Sequence, residues 1–152
     1  VTRNQETCIN ATPEINSEEG VLYFEASSKS DSLSKSITLF GQNANDRVEI
    51  KYRPNNTSVQ VNIFSSGSLV FNVVEPLAIE SINKIAVKYK QNDFALWING
   101  IEVATDTSGN TPTGLVSLNF DVASGNHFYG NTKDLQVYTK ALSDAELIKL
   151  TT

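Results

Sequence analysis

At 152 residues the chain is long enough to bury roughly 70% of its unfolded surface in one domain, without a disulfide or metal staple. Apolar residues make up 39% and charged residues 19%, Ser, Thr and Asn fill the difference, and the net charge is −5. With no basic stripe or polybasic run, that balance argues against nucleic-acid and anionic-membrane partners, and the single cysteine, Cys8, leaves no intrachain disulfide and no cysteine-based metal site.

Residues 1–19 are polar and aperiodic and read as a connector from a preceding module. They hold no apolar signal-peptide core, and no run in the chain approaches the ~20 apolar residues of a membrane span. Val1 is not a natural start, so the chain reads as part of a longer one. The first strand is expected over residues 20–26 (GVLYFEA) and the second over 36–40. Four runs then alternate strictly, the mark of half-buried antiparallel strands. Val48, Ile50 and Tyr52 are expected to face inward, then Val59, Val61 and Ile63, then Leu69, Phe71 and Val73, then Ile85, Val87 and Tyr89. Lys84, Lys88 and Lys90 alternate with the last set and read as a solvated face that blunts aggregation. Turns are expected at 54–57 and 65–67. Asn99-Gly100 between two alternating runs is a hairpin turn, since both positions need φ > 0. Two polar loops, 105–113 and 121–129, bracket a strand over 115–120, and a last strand lies near 133–138. Ser143 and Glu146 form a capping box ahead of one short helix with Leu142, Leu147 and Leu150 as its apolar stripe. The sum is an all-β fold, a two-sheet antiparallel jelly-roll sandwich over 20–152 with one short C-terminal helix.

No convergent catalytic set is visible. One histidine and one cysteine at opposite ends give no Cys–His pair, and no serine has a nucleophile elbow. Glycoside hydrolysis needs two carboxylates facing one bond; no strand carries a Glu-x-Asp or Glu-x-x-x-Glu pair, and Glu49 and Glu75 stand singly. The expectation is therefore a non-enzyme. Asp106, Asp121 and Asn126 lie in the two long loops, where oxygen ligands for calcium would gather if the loops meet at one rim, with solvated turn residues as the bland reading. His127 reads first as a loop residue making local hydrogen bonds, then as a ligand contact. Trp97 points away from Leu96 and Ile98, either as a sugar-stacking platform on a polar face or as packing beneath a covering element. Phe40, Phe64 and Tyr138 are off-phase in the same way.

Residues 83–103, centred on FALWINGIEV, and the tail FYGNTKDLQVYTKALSDAEL resemble the hairpin and the closing strand and helix of laminin-G-like, concanavalin A-like lectin domains. The likeness covers about residues 20–152. Together with VTRN at 1–4, EGVLY at 19–23 and NDRVEI at 45–50, the chain is most similar to C-terminal modules of bacteriophage tail-fibre-like proteins. That resemblance implies a concanavalin A-like module on a virion or other extracellular surface, part of a longer and oligomeric chain, docking a host glycan. It also implies calcium at the sandwich rim in many relatives, with Asp106 and Asp121 as the acidic candidates here. The sugar site is expected either at a rim built from the 41–47, 104–113 and 121–131 loops, with Asn45, Asn126, His127 and Tyr129, or on the polar sheet face, with Trp97. Asp46 and Arg47 are expected to anchor their loop as a salt bridge. The competing expectations are a structural or protein-interaction module of a fibre and, behind it, a glycan-cleaving enzyme.

Overall fold

The computed structural model describes residues 13–29, 32–53, 57–122 and 125–152; Cys8 and residues 54–56 of the turn expected at 54–57 lie outside the described residues. The strands in chain order are β1 (Glu19–Ser28), β2 (Lys35–Phe40), β3 (Arg47–Tyr52), β4 (Ser58–Ser65) and β5 (Ser68–Pro76). They continue with β6 (Asn83–Lys90), β7 (Phe94–Ile98), β8 (Ile101–Asp106), β9 (Ser117–Asn119) and β10 (Gly130–Tyr138), and α1 (Asp144–Thr151) closes the fold. Two five-stranded antiparallel sheets result, ordered β10-β1-β6-β7-β8 and β5-β4-β3-β2-β9.

Alternation sets the core. Leu22, Phe24, Ile85, Val87, Tyr89, Leu96 and Ile98 of the first sheet meet Ile37, Leu39, Val48, Ile50, Tyr52, Val59, Val61, Ile63 and Phe71 of the second. Phe24, Tyr52 and Phe128 pack edge to face at one end, with centroids 5.0 to 6.4 Å apart. The Asn99-Gly100 turn has φ of +49° and +83°, as its hairpin requires. Ser66 and Gly67 also take positive φ, +50° and +81°, at the next tight turn. Ile15 packs on the core, and Asn16 and Ser17 bond Tyr89 and Leu115, so the chain is already docked before the 19/20 boundary drawn from sequence.

Three expectations change. A β-bulge between Ile63 and Phe64 shifts the register of β5, so Leu69 pairs with Phe64 and stands 50% exposed instead of facing in. The lysine row is not simply a solvated face. Lys88 is buried and bonds Asp93 at 2.6 Å, with Asp144 at the N-terminus of α1 4.0 Å away, while Lys84 Nζ donates to the Thr152 carbonyl at the other end of that helix. A carboxylate at the helix start and a cation at its end both suit the helix dipole. The third change concerns Asp46, which does not pair with Arg47. Its buried carboxylate accepts the Ser66 and Thr113 amides at 3.0 and 2.7 Å and so ties three loops together.

The helix begins as its sequence requires, with Ser143 N donating to Glu146 Oε2 at 2.8 Å. Leu147, fully buried, lies with Leu142 and Leu150 on Val21, Tyr23, Ala86, Ala95 and Trp97, covering much of the outer face of the first sheet.

Two outcomes are expected. Leu147→Ala lowers stability by about 3 kcal/mol, the usual cost of emptying a buried leucine site, read from urea unfolding. Asp46→Ala costs about 3 kcal/mol at neutral pH, because two amides lose a charged acceptor. Burial pushes the Asp46 pKa up, but the Thr113 and Ser66 amides outweigh it and hold it below the ordinary carboxylate value. Its contribution is therefore complete above the unfolded pKa of about 3.9 and fades as pH falls through the lower folded pKa. Wild type and the Ala variant should converge in acid; a gap that persists there would rule out the charge as its origin.

Candidate functional site

With α1 lying on the first sheet, the outer face of the second is the broad face that no helix covers among the described residues. Because the alternate residues of its strands fill the core, the intervening ones share the outer surface. Strand register then aligns a polar row across the whole sheet: Asn119, Thr38, Glu49, Asn62 and Asn72. At about 4.8 Å per strand, that row spans roughly 19 Å.

The row is wired internally. Glu49 accepts Ser36 Oγ at 2.8 Å and Asn62 Nδ2 at 3.1 Å, and Asn62 Oδ1 accepts Gln60 at 3.2 Å and Asn72 at 2.6 Å. Glu49 is only 3% exposed, so these donors, with Arg47 Nε at 3.7 Å, compensate a charge held largely out of water. The Arg47 guanidinium lies 3.7 Å over the Phe64 ring and also donates to the Ala44 carbonyl. Cation–π contact and hydrogen bond together fix its direction. Leu69 and Val74, both exposed, flank Asn72 on this surface. Thr38, Glu49 and Asn62 are themselves buried, so the polar groups of the row that reach solvent are Asn72 and, half-buried, Gln60 and Asn119, beside the exposed Leu69 and Val74.

Residues 120–122 and 125–127 border this surface at β2. Thr38 Oγ1 donates to the Asp121 carbonyl at 2.8 Å, the Ser36 amide to the Asn126 carbonyl at 2.7 Å, and His127 is the bridge partner of Ser36. His127 Nδ1 stands 3.7 Å from Asp121 Oδ2. Asp121, Asn126 and His127 are thus brought together, but Asn126, at φ +53°, serves through its backbone.

The remaining sequence candidates go elsewhere. Asn45 sits in the turn at the far end of β2 and β3, where its carbonyl accepts the Gly67 amide. Thr111 and Thr113 of the loop after Asp106 bond Ser65 and Asp46 at that same far end. Asp106 itself accepts the Ser108 amide and hydroxyl, each at 2.8 Å, bonds that lower its pKa. Since Phe40 and Ser117 mark that end of the second sheet and Ser36 and His127 the other, the two long loops leave opposite ends of the sandwich. The single rim expected from 41–47, 104–113 and 121–131 is therefore not formed, and Asp106 and Asp121 do not share a calcium ion. Among the described residues no group of three His, Cys, Asp or Glu side chains is gathered to hold a metal. Trp97, 5% exposed beneath Leu147, offers no open ring face for a sugar; it is packing under a covering helix. Tyr129 alone of the expected aromatics is open, at 59% exposure.

With Val48, Ile50, Val59, Val61 and Ile63 inward, alternation leaves Glu49, Gln60 and Asn62 outward, but nothing in the sequence marks Ser36, Thr38, Arg47 and Asn72 as their neighbours. The signal present was period-two polarity; the register that aligns the strands was not.

Comparison with known proteins agrees with the architecture. Residues 22–148 match the family described as Concanavalin A-like lectin/glucanases superfamily, of the laminin G type. No curated protein sequence matches the chain. Among solved structures it is similar to the CBM40 of the Ruminococcus gnavus IT-sialidase bound to α2,3-sialyllactose, with TM-score 0.72 and 20% identity over 90% of this chain and 84% of that one. It is also similar to domain 4 of the Geobacillus stearothermophilus arabinanase AbnA in complex with arabinotriose, at TM-score 0.72 and 13% identity over 91% and 68%. A Limulus polyphemus SAP-like pentraxin follows at TM-score 0.64 and 11% identity over 89% and 70%. At these identities the likeness is one of fold.

Glu49→Ala should cost about 2–3 kcal/mol, because buried donors lose a charged acceptor, while Glu49→Gln, which keeps one acceptor oxygen, should cost less. Equal losses in urea unfolding would show that an acceptor oxygen without the charge holds nothing, and a Gln variant as stable as wild type would show that the Glu49 charge is not what holds the row.

Proposed function

The chain belongs to the concanavalin A-like lectin/glucanases superfamily, and on that premise we propose that it is a non-catalytic carbohydrate-binding module whose binding surface is the outer face of the second sheet. One observation carries the reading: five polar side chains, Asn119, Thr38, Glu49, Asn62 and Asn72, stand in register across all five strands of a face that no helix covers among the described residues, with Thr38, Glu49 and Asn62 buried in the network, Asn119 and Gln60 half-buried, and Asn72 exposed. Saccharides present hydroxyls at close intervals with C–H patches between them. Amides held by their neighbours meet the hydroxyls at little entropic cost, while Leu69 and Val74 supply apolar contact. The saccharides held by the R. gnavus and Geobacillus domains support the ligand class.

A binding role also suits the chemistry around Glu49. Its neighbours in register on this face, Ser36, Thr38, Phe40, Arg47, Lys51, Gln60, Asn62 and Phe64, include no second carboxylate, and hydrolysis of a glycosidic bond in the usual way needs two. In the finer form of the proposal the module acts outside the cell or on a virion, as the receptor-binding part of a tail-fibre-like chain. The sequence resemblance supports that form, and repeated display on one fibre would convert weak single-site affinity into firm attachment.

The test is a glycan array probed with the 152-residue chain and its Asn72→Ala variant, with sialylated and arabinan oligosaccharides included. Specific binding that weakens about tenfold in the variant, with an unchanged melting temperature, is the expected outcome. Absence of binding at high protein concentration, or binding indifferent to Asn72, would overturn the proposal and favour a structural module.

A further inference from the structure

At the end of the first sheet, where β1 leaves and β10 enters, lies a cleft of about 380 Å³ lined by Ser27, Ser28, Lys29, Glu80, Tyr129, Gly130 and Asn131. That volume falls at the small end of the roughly 300–1,000 Å³ of small-molecule sites. It is separate from the outer face of the second sheet: His127 borders that face, Phe128 packs inside against Phe24 and Tyr52, and Tyr129 emerges on the other side.

Tyr129 is exposed without being loose. Phe128 anchors it on one side, its own carbonyl accepts Ser28 Oγ at 3.2 Å, and Gly130 follows in strand register with Ser28. Gly130 has no room for a side chain, since a Cβ there would overlap the Ser27 carbonyl oxygen. The ring is therefore held outward by its backbone and loses little freedom when something lies on it. Ser27 and Asn131, partners in register, supply hydroxyl and amide groups beside it. Lys29 and Glu80 complete the lining with one side chain of each charge sign.

We propose that this cleft is a second saccharide-binding site, in which a neutral sugar unit stacks on Tyr129 and hydrogen-bonds Ser27 and Asn131. It does not depend on the sheet-face site. With both sites filled, one module bridges two glycan branches.

The test follows amide resonances of the ¹⁵N-labelled chain while lactose, N-acetyllactosamine and maltose are each titrated in. At least one sugar should move the Ser27, Tyr129 and Asn131 amides. Tyr129→Ala should weaken that response about tenfold with an unchanged melting temperature, Tyr129→Phe should keep it, and Asn72→Ala should leave it intact. If none of the three sugars moves those amides, or the shifts survive Tyr129→Ala, the cleft is not a saccharide site. Shifts confined to the Glu49 and Asn62 amides would uphold the sheet-face site and overturn this one.

Discussion

Leu147 is fully buried on Val21, Tyr23, Ala86, Ala95 and Trp97, and this contact holds an eight-residue helix flat against the outer face of the first sheet. A helix that short is not stable alone in water, so tertiary packing makes it. Lys88 near its first turn and Lys84 at its last carbonyl add polar fixings at both ends. The consequence reaches across the sandwich. With one outer face occupied by the helix, the other is left without a helix over it among the described residues, and it is there that the polar network around Glu49 lies.

The two faces also differ in how they treat charge. On the helix-covered side, Glu25 accepts Tyr23 and Lys133, and the Lys133 bond above all lowers its pKa. On the open side, Glu49 is surrounded by neutral donors and one arginine. A charge so placed orients its neighbours, since Ser36 and Asn62 each have one direction that satisfies it. Rigidity of this kind costs some stability in desolvation and returns a fixed pattern of donors and acceptors.

Much of this was legible in the residues, for identifiable reasons. Asn99-Gly100 announces its hairpin because few other pairs tolerate two positive φ angles, and Ser143 with Glu146 announces the helix because the box is local. Val48, Ile50 and Tyr52 announce a strand because alternation is local too. What alternation does not carry is the identity of whatever covers a face. Trp97 and Lys88 therefore read as exposed candidates, although the helix some fifty residues onward buries both. Loop composition similarly says nothing about which end of the sandwich a loop leaves, so Asp106 and Asp121 looked like partners and are not. The bulge at Ile63 and Phe64 turned Leu69 outward through one extra residue, with no mark in the local pattern.

The strand order has a consequence for how the chain assembles. β2 through β5 form an up-and-down ribbon in which each strand pairs with the next, whereas β1 lies between β6 and β10. Pairing close in sequence closes short loops and is kinetically easy; pairing across most of the chain is slow. During synthesis, then, β2 to β5 can zip up from neighbouring segments while the first strand waits unpaired for partners made much later, and β9 joins β2 later still. That waiting strand, residues VLYF at its centre, is the segment most open to wrong pairing with another chain. The order of folding thus places the β2–β5 ribbon first and the closure of the sandwich last.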